Sequence, residues 1–109
     1  MAKQTAELSV LGDYSFDEKT INIHPNDGYD LGLMTLSHVV RIFAGCTPEQ
    51  FADGSGANVF GTLYLKNECR IGTVEMSLKT AEKLGKARKV RLVLVPGDDS
   101  YGKLLLQPL

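Results

Sequence analysis

Apolar and polar residues alternate in several short stretches of this chain. Ala6-Glu7-Leu8-Ser9-Val10-Leu11 and Thr20-Ile21-Asn22-Ile23 both repeat with a period of two, the spacing of a strand with one buried face. Gly12 to Asp17 supplies turn chemistry between them, so the two predict a hairpin. Pro25-Asn26-Asp27-Gly28 closes the second strand as a turn.

The period then changes. Leu33, Leu36, Val39, Val40 and Phe43 recur at helical spacing and predict the main helix, with Ser37, His38 and Arg41 on its other faces. Thr35 stands at the N-cap position and Gly45 just past the end. Thr47-Pro48-Glu49-Gln50 is a capping-box pattern with proline at the first helical position, predicting a very short helix to about Ala52. Asp53-Gly54-Ser55-Gly56 follows as a loop.

Val59 to Leu78 carries the strongest strand signal. Leu63 and Leu65 share one face, and Phe60, Thr62 and Tyr64 the other. Asn67-Glu68 is the expected turn to a second strand, with a bulge at Gly72 to reconcile the parity of Ile71 and Val74. One helical turn over Lys79 to Lys86 ends at Gly85. Val90 to Val95 and Lys103 to Gln107 are nearly continuous apolar runs that suit central strands, joined by a Pro96 to Gly102 turn whose Asp98-Asp99 reads as a solvated tip. The resulting order, β-β-α-(short α)-β-β-(turn)-β-β, predicts an α+β fold. It is a small, mostly antiparallel sheet or partial barrel of about six strands, with one main helix inserted after the first hairpin.

Composition changes this picture little. The 109 residues, 43% hydrophobic and 23% charged, suit one globular domain spanning 1–109. No apolar run approaches the roughly 18 residues of a membrane span, and the N-terminal residues lack a signal-peptide h-region. A cytoplasmic protein is expected, with Cys46 and Cys69 as buried thiols. Aromatic residues are sparse at 7% and tryptophan is absent, which weakens models built on base stacking.

Charge changes it more. The net charge of −1 conceals a segregation: residues 1–65 carry three cations against eight acids, and residues 66–109 carry nine against five. Six of those nine, Lys79, Lys83, Lys86, Arg88, Lys89 and Arg91, form one basic segment and the candidate binding site. Such a segment either neutralises phosphates or keeps an adjacent apolar strand soluble.

Catalytic and metal motifs fail on spacing. Asn26-Asp27-Gly28-Tyr29-Asp30 lacks the twelve-residue loop and terminal glutamate of an EF-hand. Gly54-Ser55-Gly56 leaves a helix and enters a strand, the reverse of a dinucleotide fingerprint. Cys46, Cys69, His24 and His38 show no zinc spacing, and their pairing for nucleophilic catalysis rests on geometry. No catalytic residue, cofactor or metal is expected. The chain reads as a non-enzymatic protein–protein interaction or assembly module. It would be a structural or accessory subunit of a larger homo-oligomeric or phage-like assembly, with a protein partner or self-association and no membrane. The alternatives are nucleic-acid or phosphate-ligand binding through segment 79–91, and a small cysteine-dependent enzyme.

Overall fold

Strands dominate the computed structural model, which describes residues 3–96 and 101–109. They are β1 (Lys3–Gln4), β2 (Leu8–Asp13), β3 (Thr20–Ile23), β4 (Ser37–Ala44), β5 (Asn58–Leu65), β6 (Thr73–Ser77), β7 (Lys89–Pro96) and β8 (Gly102–Pro108). Three six-residue helices punctuate them: α1 (Pro25–Asp30), α2 (Pro48–Asp53) and α3 (Leu78–Lys83). None of the helices is long and apolar enough to cross a membrane.

The hydrogen-bonded order β7-β2-β6-β3-β5-β4-β8 returns to β7, closing a barrel of seven staves. Closure removes most free strand edges. Three neighbouring pairs, β2–β6, β3–β5 and β4–β8, run parallel and the others antiparallel. The sheet is therefore mixed and closed, not a mostly antiparallel partial barrel of about six strands.

β1 and β2 form one interrupted stave along β7. Lys3 pairs with Leu94 and Leu8 with Val90, so one extra residue lies on the β1–β2 side. Thr5 fills this bulge: its hydroxyl accepts from Leu92 N at 3.1 Å and donates to Ala6 O at 2.7 Å. Arg91 Nε donates to Thr5 O at 3.2 Å and fixes the other side.

Two expected hairpins are absent. β6 separates β2 from β3, and β3 separates β5 from β6. Residues 14–19 and 66–72 are therefore crossovers, and Gly72 (φ 79) precedes β6 rather than bulging within it. The β7–β8 hairpin is present in full register from Val90↔Pro108 to Pro96↔Gly102. Its tip, with Asp98 and Asp99, lies outside the described residues.

The expected main helix is β4. Val40 and Ile42 point into the barrel, while Val39, Arg41 and Phe43 point out. Three β-branched residues in four favour the strand. The helical-looking spacing arises because Phe43 is buried on the outer face, under Phe51 of α2. Thr35 caps no helix; its hydroxyl contacts His38 Nε2 at 3.0 Å. Gly45 (φ 78) ends a strand instead.

A short helix, α1, replaces the turn at Pro25. His24 Nδ1 accepts from Asn26 N as its N-cap, and Gly28 lies so close to Leu65 that a Cβ there would collide with it. The expected capping box is complete: Thr47 Oγ1 accepts from Gln50 N, and Gln50 Oε1 accepts from Thr47 N. α2 stops at Gly54 (φ 77), and α3 starts at Ser77, whose hydroxyl accepts from Thr80 N.

Each of the seven staves contributes buried inward residues to one core, among them Leu8, Ile21, Val40, Leu63, Met76, Leu92 and Leu104. The second, smaller cluster sits outside the wall. There Phe51 meets Phe43 edge-on at 5.1 Å and covers Leu105. Burying one such phenyl ring contributes about 2–3 kcal/mol, which holds α2 against the barrel.

Candidate functional site

The basic segment divides among three elements. Lys79 and Lys83 lie on α3, Lys86 (φ 58) and Arg88 in the following turn, and Lys89 and Arg91 on the outer face of β7. The first five are exposed, whereas Arg91 is half-buried and engaged with Thr5. They do not converge on one recess. Lys79 borders an open groove of about 550 Å³ with Tyr14, Phe16, Asp17, Glu18, Lys19 and Leu78. Lys83 borders a smaller hollow of about 90 Å³ with Glu18, Ile42, Asn58 and Thr80.

The acids near that groove are used locally. Asp17 Oδ1 accepts from Lys19 N and Thr20 Oγ1. Asp13 Oδ1 accepts from the backbone N–H and hydroxyl of Ser15, which hold its carboxyl below the usual range. Ser55 does the same for Asp53 in the loop after α2.

Neither cysteine has the surroundings of an activated nucleophile. Burial, then the charges of Glu75 and Asp27, push the Cys69 thiol up to about 11. Its Sγ donates to backbone carbonyls, Thr73 O at 3.4 Å and Asn22 O at 3.7 Å. Burial also raises the half-buried Cys46. The imidazoles are committed elsewhere, His24 to the α1 cap and His38 to Thr35. Beneath Cys69, Asn22 is 3% exposed; Nδ2 donates to Glu75 Oε1 at 3.2 Å and Oδ1 has no partner. Asp27 is buried and accepts from Gly72 N at 2.9 Å, tethering the 66–72 crossover to α1. Among the described residues no three His, Cys, Asp or Glu side chains are arranged to hold a metal ion.

The most distinctive surface is the outer wall of β5, β4 and β8. Arg41 lies over the Phe60 ring at 4.1 Å, and Phe60 meets Tyr101 edge-on at 5.4 Å. Val39, Phe60 and Tyr101 remain 50%, 44% and 43% exposed. Lys66 stands 5.2 Å from the Tyr64 ring on one side. On the other, Lys103 donates to Phe51 O at 3.0 Å and lies 5.2 Å from the Phe51 ring. Met34 and Leu36, in the segment entering β4, are 86% and 76% exposed.

Sequence reading missed this wall because Val39 and Arg41 were assigned to a helix. The available signal was the outward parity of Phe60, Thr62 and Tyr64, which places two rings on the solvent side of a strand. Comparison with protein families, with curated proteins and with solved structures finds no match to this chain.

Proposed function

We propose that this chain is a non-catalytic assembly module that docks on protein through its β5–β4–β8 wall. The observation that carries this reading is the exposed group of Val39, Phe60 and Tyr101 around Arg41. The barrel is closed and its core filled without them, so this apolar area contributes little to folding. Aromatic residues and arginine enclosed by polar neighbours are the composition of interface centres. The reading places the module in a reducing compartment, where Cys46 and Cys69 stay as thiols.

Sedimentation equilibrium of the full chain tests this. A mass above that of the monomer, reduced by Phe60→Ser, is the expected result. A protein that is strictly monomeric at every concentration and co-purifies with no partner removes the reading.

Nucleic-acid or phosphate binding is the second reading, supported by the exposure of Lys79, Lys83, Lys86, Arg88 and Lys89. It requires binding of a single-stranded oligonucleotide that weakens steeply with salt. Absence of binding at low salt disposes of it.

A further inference from the structure

Away from the β5–β4–β8 wall, the 14–19 crossover and the start of α3 enclose the open groove of about 550 Å³. That volume lies within the range of small-molecule sites. Local bonds set both of its walls. On the crossover, Asp13 Oδ1 accepts from the N–H and hydroxyl of Ser15, and Asp17 Oδ1 accepts from Lys19 N and Thr20 Oγ1. On the other side, buried Ser77 caps α3. The next residue, Leu78, leans on β2 at Gly12, where a Cβ would lie 2.9 Å from Leu78 Cδ2. Tyr14 and Phe16 on the crossover and Leu78 on α3 supply the apolar lining. Tyr14 and Leu78 are 87% and 44% exposed, and neither belongs to the barrel core.

The two walls differ in charge. The crossover contributes Asp17 and Glu18 against Lys19, and α3 contributes Lys79, so the first is net acidic and the second basic. Among the described residues, Glu18 and Lys79 enter no ion pair or side-chain hydrogen bond, so both groups are available to an occupant. We propose that this groove binds a small zwitterion with an apolar body, the chemistry of a free aromatic α-amino acid. The ammonium of such a ligand is drawn to the acidic wall at Glu18 and Asp17, and its carboxylate to Lys79. Its ring meets Tyr14, Phe16 and Leu78, where aromatic pairs favour offset or edge-on contact. An ion of one sign would match one wall and oppose the other. The site does not depend on the docking face, because Val39, Phe60 and Tyr101 do not line the groove.

Three probes with a common phenyl ring separate the charges: L-phenylalanine, phenylpropionate, which lacks the ammonium, and phenethylamine, which lacks the carboxylate. Titration of the isotope-labelled full chain, followed by amide chemical shifts, should place L-phenylalanine at residues 14–19 and 77–79. The other two probes should bind about three- to tenfold more weakly, because each loses one partly exposed ion pair. Lys79→Glu makes both walls acidic, and an acid in the first turn of α3 suits the helix. In that variant L-phenylalanine should weaken by a similar factor and phenethylamine should become the tightest of the three. Tyr14→Ser, at an exposed position, should weaken all three. Equal binding of the three probes to the wild type overturns the inference. So does L-phenylalanine binding that is unchanged in either variant, or the absence of shifts at the two walls up to the solubility limit of the amino acid.

Discussion

Gly61, on the inner face of β5, sits where the barrel wall meets the crossover between β2 and β3. A Cβ at this position would lie 2.5 Å from Lys19 O and 2.5 Å from Ile42 Cδ1. The two obstacles differ in kind. Ile42 Cδ1 is the end of a flexible side chain. Lys19 O belongs to the backbone and is held by Thr62 N at 2.7 Å. Gly61→Ala must therefore shift the crossover or strain that hydrogen bond. Overpacking of this type costs about 1–3 kcal/mol, and restricting the unfolded chain returns about 0.4–1 kcal/mol. A net loss of about 1–2 kcal/mol is expected, or about 4–8 °C in Tm for a domain of this size. Urea unfolding followed by far-UV circular dichroism should give a lower midpoint with an unchanged slope. Ile42→Val removes Cδ1, so the double variant should lose less than the sum of the two single variants. Whatever loss remains belongs to the carbonyl. A Gly61→Ala protein as stable as the wild type would refute the close approach of Lys19.

Thr5→Val keeps the shape of a buried side chain but leaves Leu92 N without its acceptor. A loss of about 1–3 kcal/mol in the same assay is expected, and a neutral result would show that Thr5 does not complete the β1–β7 ladder. Thr47→Ala removes half of the capping box and should cost about 1 kcal/mol, with faster proteolysis around α2. Unchanged digestion would detach the cap from the stability of that helix. The raised Cys69 thiol predicts slow alkylation of the folded protein at pH 8, with Cys46 reacting first; prompt modification of Cys69 would contradict its burial. The linkage has a definite sign. Folding keeps Cys69 protonated above its ordinary value of 9.0, so stability should fall as pH rises from about 9 to about 11. This slope should vanish in Cys69→Ala.

Local chemistry was legible in the sequence wherever the determining residues lie within a few positions of one another. The Thr47–Gln50 capping box, the α3 turn and the β7–β8 hairpin each depend on neighbours in the chain, and each is present. So is the two-faced pattern of β5, with Leu63 and Leu65 inside and Phe60, Thr62 and Tyr64 outside. β4 was misread for a reason that lies elsewhere. Its outer face is buried at one end because α2 folds back over Phe43 and Leu105, and that cover removes the polar residues an alternating pattern needs.

The candidate surface shows the same division. The clustering of the basic segment along the chain was readable, but neither the half-burial of Arg91 nor the separation of the segment among α3, a turn and β7 was. By itself the sequence determined the alternation of individual strands, the caps and the last hairpin, because these are set by contacts along the chain. The tertiary structure alone decided which strands are neighbours and that the sheet closes. β6 enters between β2 and β3, and β3 between β5 and β6, through pairings of residues far apart in sequence whose partners no local pattern specifies.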